Sequence, residues 1–172
     1  MNTKTKTLVE CAILVALSAV LSMVKVFQLP WGGSITLLSM LPVTLISIRH
    51  GIKTGLFSAF VYAVIQLVFG IMFDGLLGWG LTAGMLVACI LLDYIVAFTV
   101  LGLAGIFANK GLRGVIGGTA LAIALRFASH VLSGVYVFAS AGKLWEVFET
   151  TNTWLYSVVY NGCYMLPEMG FT

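Results

Sequence analysis

Apolar residues along this chain do not alternate with polar ones; they run on. Stretches near residues 8–28, 35–49, 53–73, 81–107, 113–139 and from 153 to the end are almost continuously apolar. All but the second are near the roughly 17–25 residues that a helix needs to cross a bilayer. The second is short and follows "QLPWGGS", whose Pro and Gly residues suggest a re-entrant or bent entry covered by protein. The pattern predicts an all-α membrane protein, a bundle of six transmembrane helices forming a single integral membrane domain over 1–172. The sixth segment, ending in "PEMGFT", is expected to be short or truncated.

Composition agrees with lipid as the main solvent. Of 172 residues, 60% are hydrophobic and 9% charged, against about 25% charged in soluble domains. The basic tail "MNTKTKT" has no cleavage pattern after it, so the first segment is read as a retained helix. Lys4 and Lys6, Arg49 and Lys53, and Lys110 and Arg113 fall at alternate segment ends. The positive-inside rule then puts the N-terminus and the 2–3 and 4–5 loops in the cytoplasm. The opposite loops hold Lys25, Asp74, Lys143, Glu146 and Glu149, with an interfacial belt of Trp31, Trp79, Trp145 and Trp154. The basic residues are spread over helix ends, which gives no footprint for nucleic acid. Cys11, Cys89 and Cys163 are isolated in apolar segments and read as small core residues, neither a disulfide framework nor a metal motif.

Small residues at four-residue spacing mark close helix packing in lipid. They are Gly55, Ala59 and Ala63 in segment 3, Ala120, Ala124 and Ala128 in segment 5, Gly114 with Gly118, and Ala12 with Ala16 in segment 1.

Three ionisable groups, Asp93, Arg126 and His130, lie well inside the spans. Charge there is costly, so such groups face one another or a cavity. At 1.5 Å per residue, Asp93, His130 and Asn161 lie roughly 18, 14 and 12 Å from the outer ends of their segments, close enough to share a chamber. Arg126, His130 and Gly134 share one helical face, and Gly134 allows close approach to the backbone. One reading is structural, an Asp93–Arg126 ion pair with His130 as an interhelical contact. The other adds Tyr94, Tyr136, Phe138, Trp154, Tyr156, Tyr160 and Asn161. Together these describe an outward-facing pocket for a flat, polar, cationic ligand, stacked on aromatic faces and balanced by Asp93. Arg126 would orient the Asp93 carboxylate from below.

The stretches "GGSITLLSMLPV", "LLDYIVAFTVLGLAGIF", "RFASHVLSGVYVF" and "LYSVVYNGCYMLPE" resemble the thiamine-specific substrate-binding (S) components of energy-coupling factor transporters. The resemblance covers nearly the whole chain. It implies a six-helix membrane subunit that binds thiamine outside, needs no cofactor and is not an enzyme. It makes Asp93 the partner of the cationic ligand, followed by Tyr94, with His130, Gly134, Tyr156 and Asn161 in the pocket. Phe138 falls where some members have a tryptophan, and Trp31 and Trp79 are loop aromatics assigned to the same pocket. Ala12 and Ala16 match a small-residue pair that docks on a transmembrane coupling subunit. Two cytoplasmic ATPases would supply energy, since the chain has no phosphate loop of its own. The alternatives are an S component for another vitamin or a thiamine precursor, and a proton-coupled carrier using Asp93 and His130 as a relay. The carrier would be expected to show repeated halves, and no convincing repeat is present. An intramembrane enzyme is disfavoured, because His130 and His50 form neither a metal triad nor a nucleophile–base pair. His50, beside Arg49, reads as a solvated loop residue or a partner contact.

Overall fold

A computed structural model describes residues 2–29, 33–36, 38–139, 142–145 and 148–172. The first apolar stretch forms α1 (Thr3–Met23), started by Asn2, whose side chain accepts from the Lys4 backbone N–H at 3.4 Å. A hairpin of β1 (Lys25–Gln28) and β2 (Ser34–Thr36) follows, pairing antiparallel with Phe27 opposite Ile35. The chain then enters α2 (Leu41–His50), with Pro42 in the first turn where its missing N–H costs nothing. Gly51, at φ +84°, separates α2 from α3 (Ile52–Met72), a backbone conformation that favours glycine.

After a 3-10 turn at Leu76–Gly78, Thr82 caps α4 (Ala83–Cys89) by accepting from the Met85 N–H at 3.4 Å. The helix widens to a π-helix over Ile90–Val96, passes through α5 (Ala97–Thr99), and tightens to 3-10 geometry over Val100–Lys110. It bends at Phe107, which leaves helical φ/ψ, and at Gly111, with φ +68°. From there α6 (Gly111–Tyr136) folds back along its predecessor. A second antiparallel hairpin, β3 (Gly142–Trp145) with β4 (Phe148–Thr150), leads to α7 (Thr153–Phe171). Asn152 caps α7 by accepting from the Trp154 and Leu155 N–H groups at 3.0 and 3.2 Å.

The all-α expectation therefore holds for most of the chain but is corrected in two connections. Both hairpins pair backbone groups across short segments that are too polar or too broken by Gly and Pro to continue as helix. The region expected as a re-entrant entry to segment 2 is one of them, and α2 has only ten residues, about 15 Å of helix. Among the described residues, three helical stretches are long and apolar enough to cross a membrane: Thr3–Met23, Ile52–Met72 and the bent run Ala83–Tyr136. The structure does not divide by itself into six spans of membrane length.

Packing inverts the usual soluble arrangement. Large apolar side chains such as Leu8, Ile13, Val20, Phe57, Val87, Leu112 and Ile116 are exposed on the outer faces, whereas many of the most deeply buried residues are small. Gly55, Ala59 and Ala63 lie inward as expected. A Cβ on Gly102 would sit 2.5 Å from the Leu56 backbone, so α3 and the stretch after α5 approach to backbone contact. Ser47 of α2 locks the same corner, donating to the Gly102 carbonyl and accepting from the Gly105 N–H. On α6 the expectation is corrected. Ala124 and Ala128 face outward, whereas Gly114 and Gly118 are buried as expected, on a face continued by Ala122, Arg126, Ser129 and Ser133. Gly102→Leu is expected to destabilise by about 1–3 kcal/mol through overpacking, and Ala124→Leu by less than about 0.5 kcal/mol, read by thermal denaturation in detergent.

Candidate functional site

The π-helical stretch carries Asp93. Its wider turn interrupts the regular 3.6-residue spacing, and such bulges recur at functional sites. Asp93 Oδ1 lies 2.8 Å from His130 Nδ1, and Oδ2 accepts from the Ser133 hydroxyl and, weakly at 3.4 Å, from the Cys89 thiol. His130 and Ser133 stand one turn apart on α6, so a single helical face presents both to the carboxylate. One turn earlier on that face, Arg126 donates from Nε to His130 Nε2 at 3.4 Å. With Nε2 accepting from Arg126, Nδ1 is the ring nitrogen directed at Asp93.

The expected Asp93–Arg126 pairing is corrected. The carboxylate nearest the guanidinium is Glu168 of α7, with Oε2 at 3.9 Å from Nη1, and both side chains are buried. Glu168 Oε1 accepts from the Thr36 backbone N–H at 2.6 Å and from the Thr36 hydroxyl at 2.5 Å, and Ser39 extends the cluster. The Phe98 ring lies under the guanidinium at 4.3 Å. Sequence reasoning missed Glu168 as a site residue, although it stands two turns beyond Asn161 on the same helix. The signal was its ionisable side chain in an apolar run.

The opposite wall comes from α7. Tyr156 and Tyr160 stack at 6.3 Å with 8° between planes, and Tyr164 meets Tyr160 edge-on at 6.1 Å. Their spacing of four residues puts all three on one face, a signal that reaches Tyr164, which sequence reasoning had passed over. Asn161 is held within its own helix, its amide donating to the Ser157 carbonyl at 2.8 Å and its Oδ1 accepting from the Tyr164 hydroxyl at 2.5 Å. The Tyr160 hydroxyl accepts from the Gly33 N–H at 3.1 Å, tying the first hairpin to α7. Gly134 does admit a close neighbour, but that neighbour is the Ser157 side chain of α7.

Between these walls lies a cavity of about 660 Å³, within the usual range for small-molecule sites. Asp93, Tyr94, Arg126, His130, Gly134, Phe138, Tyr156, Asn161 and Trp79 all line it. The structure thus brings together the expected site residues apart from Tyr136, Trp154 and Trp31, the last of which lies outside the described residues. Tyr136 and Trp154 are corrected: they pair edge-on with each other at 5.9 Å and are exposed, away from the cavity. Exposure rises toward one end, where Trp79 and Phe138 meet at 5.9 Å. There the Trp79 indole N–H donates to the Asp74 carbonyl at 3.0 Å, and the Asp74 carboxylate pairs with Lys25 at 2.7 Å. Tyr62, Gln66 and Ser22 form a polar flank, with the Gln66 amide donating to Ser22 Oγ at 2.7 Å. The arrangement offers carboxylates, aromatic faces and amide or hydroxyl groups to one enclosed guest.

Comparison with known proteins agrees with this geometry. The chain is 32% identical over 175 residues to the thiamine transporter ThiT of Bacillus subtilis (strain 168), covering 94% of this chain and 83% of the relative. A solved structure of ThiT from Listeria monocytogenes shares the fold, with a TM-score of 0.70 at 24% identity over 98% of this chain and 89% of that one. These relatives are transporters, not enzymes. With residues 8–171 matching its model, this integral membrane chain belongs to the thiamine transporter protein (Thia_YuaJ) family.

Proposed function

We propose that this protein captures thiamine in the cavity and serves as the substrate-binding S component of an energy-coupling factor importer in the cell membrane. One observation carries the reading: Asp93, held by His130 and Ser133, lines an aromatic-walled cavity in a chain of a thiamine transporter family. Thiamine joins a permanently cationic thiazolium to an aminopyrimidine. A carboxylate in a low-dielectric site balances the charge, and Tyr and Trp faces stack on the rings and attract the cation. Asn161 and the tyrosine hydroxyls suit the hydrogen-bonding edge of the pyrimidine.

Six spans with the N-terminus inside remain the topology of choice for a single unit over 1–172. Glu10 of α1 meets Arg49 and His50 at 2.7 and 3.2 Å, so the start of α1 and the α2–α3 junction share one end. The basic residues at that end favour the cytoplasm, and the Lys25–Asp74 end of the cavity then opens outward. Ala12 and Ala16 are exposed on α1, while Cys11, Val15, Ser18 and Ala19 face the bundle. This leaves a small-residue face free for the transmembrane coupling subunit. With no phosphate loop in the sequence, ATP hydrolysis would fall to two partner ATPases.

Titration of the detergent-solubilised protein with thiamine should quench its tryptophan fluorescence saturably, with Trp79 as the cavity reporter, and riboflavin should not. Asp93→Ala should weaken thiamine binding by about 2–5 kcal/mol, roughly 30-fold to several thousand-fold, in folded protein; unchanged affinity would reject its role as cation partner. Ala12→Trp should abolish co-purification with the coupling subunit and spare thiamine binding. Loss of both activities would mean that this face packs within the bundle.

A further inference from the structure

The charges around the cavity do not balance. Among the described residues, its lining carries Lys25, Asp74, Asp93, Arg126, His130 and Glu168. Lys25 and Asp74 pair at 2.7 Å at the more exposed end and cancel. His130 Nε2 accepts from Arg126, so the ring offers that guanidinium no countercharge. Two carboxylates and one guanidinium remain, and a guanidinium does not deprotonate in proteins.

Geometry decides which carboxylate answers Arg126. Glu168 Oε2 is 3.9 Å from Nη1, and Glu168 is only 3% exposed. The groups bonded to Asp93 are instead an imidazole, a hydroxyl and a thiol, none of them a permanent cation. Glu168 therefore takes up the Arg126 charge, and Asp93 is left as the uncompensated anion. With no anion at position 168, Arg126, in contact with His130 and one residue removed from Asp93 along the hydrogen-bonded chain, would become the countercharge of Asp93.

We infer that Glu168 is a specificity-determining positioning residue: by neutralising Arg126 it leaves the cavity one negative charge in excess, and so sets its preference for a singly cationic guest. This rests on the thiamine reading above and assigns the selection of charge to the far end of α7 as well as to Asp93. Glu168 acts through Arg126 and need not touch the guest.

The test compares affinities for thiamine and for its uncharged isostere, in which a thiophene replaces the thiazolium. A residue that merely shapes the cavity alters both affinities together, whereas a charge alters their ratio. Glu168→Gln should leave the affinity for the isostere within about threefold and lower that for thiamine roughly tenfold. Adding Arg126→Gln removes the cation, restores one excess negative charge and should return the wild-type ratio. A Glu168→Gln protein that keeps the wild-type ratio overturns the inference, as does a double variant that binds the isostere without regaining it. Should Glu168→Gln bind neither ligand, Arg126→Gln alone decides: a ratio raised roughly tenfold supports the inference, and an unchanged or lower ratio overturns it. Wild-type protein that shows no thiamine binding at all overturns the reading beneath it.

Discussion

Arg126 is a permanent cation buried within a bundle whose outer solvent is hydrocarbon, and groups from several elements converge on it. Its guanidinium lies on Phe98, faces Glu168 and donates to His130, which in turn is directed at Asp93. The chain of contacts runs from Thr36 in the first hairpin through α7 and α6 to the π-helical turn. It joins four separate parts of the sequence. A buried charge that loses its partner costs several kcal/mol, so these elements are coupled to one another through this polar line as well as through packing.

That constraint explains features that otherwise look unrelated. The first hairpin descends far enough for Thr36 to donate twice to Glu168, and α7 is held against α6 by Gly134, whose missing side chain admits Ser157. The π-helix lets Asp93 meet His130 and Ser133 together. Around this polar interior the bundle closes with small residues, as at Gly102 against α3 and Ser47 against Gly105, because helices in lipid gain little from burying more apolar area. The floor of the cavity is buried and hydrogen-bonded, as at Thr36 and Glu168, whereas exposure is greater at the Trp79–Phe138 end.

Much of the site was legible from residue type. Asp93, Arg126 and His130 stood out as ionisable groups in apolar runs, and the four-residue spacing of Arg126, His130 and Gly134 put them on one face. The spacing did not reveal who pairs with whom. Arg126 answers Glu168 rather than Asp93, and Tyr136 and Trp154 turn outward to each other. The alanine stripe on α6 misled for a similar reason. Ala124 and Ala128 carry the right spacing, but the rotation of the helix gives the interior to Ala122, Arg126 and Ser129.

Sequence by itself determined the solvent, the helical class and the family resemblance. Continuous apolar runs leave backbone groups to be satisfied within each segment, which selects helix, and rare charges in such runs mark a site. Tertiary structure decided the pairing of charges, the faces turned inward, the two hairpins and the π-turn. Those depend on contacts between segments far apart in the chain, such as Thr36 with Glu168, whose distance along the sequence carries no record of their distance in space.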